Sequence, residues 1–325
     1  MKEGIIMFEP RFVSSPKRGM HLFRSSAKLQ MDALSKEWLL QVEPTVKPST
    51  LEKYRRITQK YISPAFGGIK ATQINRFQVA SFGQACLQKG LKEKTANDIL
   101  GVLRMIFRFA GQEYDVMLPQ VPFLRQPSAE TRVLTHTEQE TLLHYILANL
   151  KLQEFGILLT LYTGLRIGEL CALRWDDISG TSIRVTKTLQ RLKTEEGKTA
   201  LKMGDPKSLN SFREIPIADC LQPYIALFRR ETGFVLQTKN QTPTEPRTLQ
   251  AKFQKIVQKC DLEGVTFHTL RHTFATRCVE AGFDAKSLSE ILGHRDVKTT
   301  LNLYVHPSFD FKKENMEKLA HPLVG

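Results

Sequence analysis

The sequence predicts an α+β protein of two domains, mostly helical and with a small β-hairpin or sheet. Its 325 residues are more than one small core accommodates, which favours two domains. Apolar residues recur at helical spacing on both sides of a segment that holds three prolines, between Tyr114 and Arg132. Two strand-like runs, at residues 182–188 and 212–217, interrupt the helical pattern of the second half and predict the hairpin.

The first domain is predicted to be a bundle of four helices within residues 28–115, preceded by a flexible basic N-terminal arm at residues 1–27. The second helix opens with a capping-box spacing, Ser49-x-x-Glu52, and is expected to end at Pro64. The third helix is expected to place three apolar side chains on one side, those of Ile74, Phe77 and Phe82.

The charge of the chain predicts a polyanionic partner. Lys and Arg number 47 against 33 Asp and Glu, a net charge of +14. Residues 1–130 hold 20 of the basic residues and 11 of the acidic ones, so the excess is densest at the front of the chain. Nucleic acid is the favoured partner, ahead of an anionic membrane surface, and solvated surface charge is the remaining alternative. Five basic residues of the bundle are predicted to contact DNA: Arg55, Arg56, Lys94, Arg104 and Arg108.

Three kinds of protein are disfavoured by what the sequence lacks. No apolar run approaches the length of about 20 residues that spans a bilayer, and the N-terminus does not resemble a signal peptide. The five cysteines are widely spaced and form no Cys-x-x-Cys pair, which favours reduced thiols over disulfides or a zinc site. We therefore expect a cytoplasmic protein that is associated with the nucleoid.

A linker is predicted at residues 116–132, and a second domain at residues 133–307. Its first helix is expected to begin with the capping box Thr135-x-x-Glu138. Gly164 is expected to end the apolar helix that follows. The two strand-like runs enclose a polar, lysine-rich stretch, and the pattern becomes helical again after Asp219.

The first motif of this domain is Arg166-x-x-Glu169, which follows the turn at Gly164. Backbone N–H groups at a helix start and a guanidinium can both face an anion, and Glu169 lies one turn away, where it can hold Arg166. Taken alone, this pair is more simply interpreted as an ordinary surface ion pair.

The second motif is His268-x-x-Arg271-His272, whose three side chains share one helix face. The spacing of the two histidines is also that of a zinc protease helix, but the intervening arginine and the missing glutamate base speak against a metal. A phosphate is the better ligand for this face.

The remaining motifs are Leu-Gly-His294, followed ten residues later by Tyr304, and a hairpin lysine, Lys207. A single tyrosine near a C-terminus usually packs, and a single loop lysine is usually solvated. Three other lysines share the segment of Lys207 and are alternatives to it: Lys193, Lys198 and Lys202.

In this order and content, the motifs resemble those of the tyrosine recombinase, or phage integrase, family, from about Ala27 to the C-terminus. The resemblance implies a helical core-binding (SAM-like) domain and a mostly helical catalytic domain that together clamp DNA. It implies a pocket of Arg166, Lys207, His268, Arg271 and His294, with Tyr304 as the nucleophile. Glu169 and His272 fall at supporting positions.

The resemblance further implies cleavage through a 3′-phosphotyrosine and a free 5′-hydroxyl. The ester keeps the energy of the broken bond, so no ATP, metal ion or other cofactor is expected. The expected partners are double-stranded DNA at attachment or core sites, further protomers in a homotetramer, and accessory bending or directionality proteins. Residues 308–325 are expected to form a tail helix that couples protomers, although it could dock on its own domain.

Integration and excision of a mobile element is the favoured role, and Xer-type chromosome-dimer resolution or DNA inversion is the second. Relaxation by a type IB topoisomerase and binding without catalysis are more remote alternatives.

Overall fold

The structure is a computed structural model that describes residues 30–125, 131–193, 198–204, 212–294 and 296–301, together with 313, 316 and 317. The chain divides into two compact units, Met1–Ser128 and Ala129–Gly325. Helices predominate in both, and small antiparallel sheets occur in the second, which confirms the predicted fold class. The domain boundaries given above remain predictions. No helix among the described residues is long and apolar enough to cross a membrane.

The first unit is a helical bundle. Its helices are α1 (Met31–Val42), α2 (Pro48–Ile57), α3 (Ser63–Phe66), α4 (Arg76–Gln88) and α5 (Glu93–Tyr114). The core forms where apolar residues three and four apart share a helix face, as the sequence pattern predicts. Its fully buried side chains include those of Leu34, Ile99, Leu103 and Ile106.

Three details of this unit differ from the predictions. Helix α2 begins at Pro48, and the residue before it, Lys47, makes no side-chain cap, so the predicted Ser49–Glu52 capping box is wrong. Pro64 does not end the helical path, because a π-helical turn at Thr58–Ile62 leads into α3, where the first turn tolerates proline. Phe77 is 68% exposed, since the capping box of Asn75 places it in the first turn of α4 on the solvent side.

Residues 116–125, within the predicted linker, have no helix or strand but pack on this bundle. The side chain of Asn97 donates to the carbonyl of Leu124 and accepts from its N–H, both at 2.8 Å. The guanidinium of Arg104 donates to the carbonyl of Val121 and lies 3.7 Å from the ring centre of Phe123. These contacts satisfy backbone groups that an irregular segment would otherwise leave unpaired.

The second unit begins with α6 (His136–Ala148), α7 (Leu152–Thr163) and α8 (Ile167–Ala172). The capping box predicted for α6 is confirmed: Glu138 N–H donates to Thr135 Oγ1, and Thr135 N–H donates to Glu138 Oε2 at 2.8 Å. The predicted stop at Gly164 is also confirmed, because this glycine caps α7 with a φ of +65°.

Four short strands follow and form two separate pairs. They are β1 (Ser182–Val185), β2 (Thr188–Lys193), β3 (Thr199–Gly204) and β4 (Arg213–Pro216). Strands β1 and β4 pair antiparallel, with Ile183 opposite Ile215, where the hairpin was predicted. Strands β2 and β3 form a second antiparallel pair inside the stretch that was interpreted as a polar excursion.

The described residues contain five further named helices: α9 (Gln222–Phe228), α10 (Pro246–Lys259), α11 (Phe267–Glu280), α12 (Ala285–Leu292) and α13 (Val297–Leu301). Helix α7 is buried on nearly all sides, and it packs against α11, which carries the second motif. The core around them contains Phe155, Trp175 and Phe253, all fully buried. The rigid α7–α11 contact is the scaffold of the site described next.

Candidate active site

The turn at Gly164 brings Arg166 directly to the end of α7. A left-handed backbone favours glycine, and a Cβ at this position would lie 2.5 Å from Cδ1 of Phe274. The turn therefore needs glycine both for its φ and for the close approach of α11. Arg166 lies two residues after Gly164 and is the N-cap residue of α8.

Arg166 is held by three hydrogen bonds. Its Nη1 donates to Glu169 Oε1 at 2.7 Å, and its backbone N–H donates to Glu169 Oε2 at 2.9 Å. Its Nη2 donates to the carbonyl of Gly293 at 3.2 Å. The side chain is nevertheless 35% exposed, so a ligand in solution can reach the guanidinium.

Arg271 projects from α11 into the same region and is only 4% exposed. Its Nη1 donates to the carbonyl of Gly164 at 2.7 Å, and its Nη2 donates to the carbonyl of Leu292. Burial lowers the pKa of Arg271 to about 9, and the nearby guanidiniums of Arg166 and Arg213 add to this shift. The group still carries its charge at neutral pH.

Arg213 is a member of this cluster that the sequence analysis did not single out. It lies at the start of β4, its side chain is 4% exposed, and it forks onto Glu169 with contacts of 2.8 and 3.1 Å. Its Nε donates to the carbonyl of Ile291 at 2.6 Å. The sequence did contain a signal for Arg213. Arg213 and Ile215 are two residues apart on a strand, so their side chains lie on the same face. If Ile215 is buried, the guanidinium of Arg213 lies on the buried face too and requires a charged or polar partner.

Glu169 is the shared carboxylate of Arg166 and Arg213 and is 3% exposed. Burial acts to raise its pKa, but the hydrogen bonds and charges of Arg213 and the charge of Arg166 outweigh burial and lower it. The group is therefore ionised at neutral pH, and it joins the two guanidiniums into one network.

Three histidines lie around the arginines. His268 and His272 sit one turn apart on α11, with ring centres 4.5 Å apart in an edge-to-face arrangement. His294 follows α12, and its Nδ1 lies 2.8 Å from Thr300 Oγ1. Burial, followed by neighbouring positive groups, lowers the pKa of His268 and of His294 to about 4 and also lowers that of His272. All three imidazoles are thus neutral at pH 7.

The structure brings together Arg166, Glu169, Arg271 and His294, and it places His268 and His272 beside them on α11. Lys207 and Tyr304 lie outside the described residues, as does the predicted tail apart from residues 313, 316 and 317. The part of the chain that the structure describes contains no group of three or more His, Cys, Asp and Glu side chains that could hold a metal ion.

The predicted DNA-contacting residues of the first unit differ in their surroundings. Arg56, Lys94 and Arg108 are exposed, as a surface contact requires. Arg55 is half-exposed and pairs with Glu43 at 2.9 Å. Arg104 is partly buried and occupied by the Val121 and Phe123 contacts described above. The exposed three are therefore better placed to meet a phosphate than Arg104.

Chemically, the site concentrates positive charge around the partly exposed Arg166 and contains neutral imidazoles that can accept protons. A cleft of about 520 Å³ beside it is lined by Arg213, His294 and Lys286, among others. Such an arrangement suits an anion with several oxygens, because each guanidinium offers planar pairs of donors.

Comparison with protein families agrees with this chemistry. Residues 132–310 match the phage integrase family, and residues 32–83 match the phage integrase N-terminal SAM-like domain. The first match alone covers more than half of the chain, and it includes the whole Arg166–Glu169, His268–His272 and His294 constellation.

Two curated relatives span most of the chain. A XerC-like tyrosine recombinase of Caldanaerobacter subterraneus is 28% identical over 83% of this chain and 77% of its own. The ICEBs1 integrase of Bacillus subtilis is 25% identical over 91% of this chain and 84% of its own.

Solved structures show the same fold. The integrase of transposon Tn1549 in complex with a circular-intermediate DNA has a TM-score of 0.74 and 25% identity, covering 88% of this chain and 99% of that one. A lambda integrase tetramer bound to a Holliday junction is similar in fold, with a TM-score of 0.58 and 19% identity, covering 81% and 77% of the two chains. The chain belongs to the phage integrase family of tyrosine recombinases.

Proposed function

We propose that this recombinase cleaves DNA by attack of Tyr304 on a phosphodiester and rejoins it through a 3′-phosphotyrosine intermediate. The observation that carries the proposal is the cluster of Arg166 and Arg271, fixed by hydrogen bonds to Glu169, Gly164 and the end of α12. A phosphodiester repels nucleophiles through its own charge, so preorganised cations are what this reaction most needs.

In the proposed mechanism, Arg166 and Arg271 bind the non-bridging oxygens. Each guanidinium has five N–H donors, and the side-chain hydrogen bonds described above use two of them, which leaves donors for the phosphate. Their charge offsets the negative charge that develops in the transition state. The same positive field favours loss of the proton of Tyr304, whose phenol has an ordinary pKa of about 10.

Neutral imidazoles supply the proton transfers. His268 is proposed to accept the phenolic proton, which requires the unprotonated ring that its lowered pKa provides. An arriving phosphate adds negative charge beside the ring, which raises its proton affinity during the reaction. His294, oriented by Thr300, is proposed to hydrogen-bond a phosphate oxygen, and His272 to support His268. Lys207 is proposed to protonate the departing 5′ oxygen.

At the level of the assembly, we propose that the helical and catalytic domains clamp double-stranded DNA at core sites, and that four protomers act together in the nucleoid. The predicted tail, residues 308–325, would couple neighbours, because head-to-tail contacts can close into a ring. Accessory bending or directionality proteins would act on this complex.

Integration and excision of a mobile element is the preferred role, supported by the likeness to the ICEBs1 and Tn1549 integrases. Xer-type resolution of chromosome dimers is the second candidate, supported by the XerC-like relative.

The proposal is tested with a suicide substrate that is nicked near the cleavage position. Strand loss at the nick traps the covalent complex, which is detected on a denaturing gel. We expect a trapped adduct and, with two intact sites, exchanged products. Binding without an adduct would exclude the nucleophilic role, and an adduct with relaxation but no exchange would favour the topoisomerase activity.

A further inference from the structure

Three arginines converge on the end of one short helix. The carbonyls of Ile291, Leu292 and Gly293, at the C-terminus of α12, accept hydrogen bonds from Arg213, Arg271 and Arg166 respectively. The last carbonyls of a helix have no partner within it, and they form the negative end of the helix dipole. The three carbonyls at the end of α12 therefore hold the three guanidiniums in fixed positions. His294 follows these carbonyls directly in the chain.

Arg213 is as deeply buried as Arg271 and much less exposed than Arg166. Its side chain is 4% exposed, whereas that of Arg166 is 35% exposed. The hydrogen bonds described above join it to Glu169 and to the carbonyl of Ile291, two groups that also hold the other arginines or lie beside their acceptors. These contacts are those of a side chain that holds other groups in place.

We propose that Arg213 is a positioning residue for strand cleavage: it fixes Glu169 and the end of α12, and thereby Arg166, Arg271 and His294. The inference rests on the proposed function, because the quantity that it controls is the rate of attack on the phosphodiester. Reacting groups that shift by about 1 Å can lose a hundredfold in rate, so a buried positioning residue has a large effect without touching DNA.

The physical consequence of losing Arg213 follows from its partner. Glu169 is buried, and loss of the fork from Arg213 removes the largest causes that hold its pKa low, so its pKa rises. The carboxyl then binds a proton at higher pH, and a protonated Glu169 no longer pairs with the charge of Arg166. Cleavage should therefore become slower and more sensitive to acid.

The test compares single-turnover cleavage of the nicked substrate, at saturating DNA, for wild type, Arg213→Lys and Arg213→Met. Lysine keeps the charge beside Glu169 but cannot contact both carboxylate oxygens and Ile291 together, and methionine keeps only the bulk. We expect the rate to fall in the order wild type, lysine, methionine, by about tenfold to a hundredfold at pH 7. DNA affinity should change less than about twofold, and the acidic limb of the pH–rate profile should move to higher pH.

Arg277→Ala is the matched control. Arg277 lies on α11, donates to the carbonyl of Leu134 at 2.8 Å and pairs with Glu280, so its loss costs folding contacts outside the cluster. Equal cleavage rates and unshifted pH profiles in the Arg213 variants and this control would overturn the proposal. If Arg213→Met fails to fold, Arg213→Lys carries the same comparison. Absence of any adduct with wild type would instead reject the proposed function.

Discussion

Replacing Gly164 with alanine should destabilise the second unit and slow strand cleavage together. The backbone at Gly164 has a φ of +65°, which costs an L-residue about 1–2 kcal/mol. The new Cβ would also lie 2.5 Å from Cδ1 of Phe274 and 3.0 Å from Cδ2 of Leu292, and overpacking of this kind costs about 1–3 kcal/mol. The free energy of unfolding should therefore fall by about 2–5 kcal/mol.

The variant Gly264→Ala separates the backbone cost of a positive φ from the cost of overpacking. Gly264 has a φ of +68°, and a methyl group added there would have nothing within 4 Å of it, so only the backbone cost of about 1–2 kcal/mol applies. Urea unfolding of both variants gives the difference. Cleavage of the nicked substrate should fall at least about tenfold in Gly164→Ala alone, because the carbonyl of Gly164 positions Arg271. Equal losses of stability in the two variants, with equal cleavage rates, would refute the reasoning.

Further predictions concern pH, salt, a chelator and the leaving group. The pKa of His268 and of His294 is lowered from 6.5 to about 4 on folding, so the unfolded chain binds more protons in this range and stability should fall as the pH drops from 6.5 to 4. Replacing both histidines with glutamine should flatten urea midpoints across that range, and an unchanged slope would contradict this. DNA affinity should fall steeply with salt, given the net charge of +14, and EDTA should leave cleavage unchanged, whereas a loss restored by magnesium would overturn the mechanism. A 5′-phosphorothiolate substrate, whose leaving group needs no acid, should rescue Lys207→Ala, and rescue of Lys202→Ala instead would identify a different lysine as the acid.

Local signals predicted the parts of this fold that depend on neighbours in sequence. The capping box of Thr135 and the helix end at Gly164 each involve residues within four positions of each other. Both can therefore be predicted from the local sequence. The spacing of His268, Arg271 and His272 likewise places them on one face of α11. The Ser49 capping box was wrong because α2 starts at Pro48, two residues earlier than a helix capped by Ser49 would, and the fixed φ of proline suits a first helical position.

What could not be predicted depends on contacts that are distant in sequence. Arg213 donates hydrogen bonds to Glu169, 44 residues away, and to the carbonyl of Ile291, 78 residues away. The β2–β3 pair was missed because half of its residues are polar and, among those described, Leu189 is its one buried apolar residue. Backbone pairing between such strands leaves little trace in hydrophobic periodicity.

The central claim, that Tyr304 carries the DNA, can be tested by mass spectrometry of the trapped covalent complex. Trypsin cuts after Lys298 and Lys312, and the peptide between them contains Tyr304 as its single tyrosine. After nuclease treatment, we expect the residual nucleotide on Tyr304 in wild type, and no adduct with Tyr304→Phe, which should still bind DNA. A nucleotide on any other residue, or an adduct that persists in Tyr304→Phe, would contradict the account.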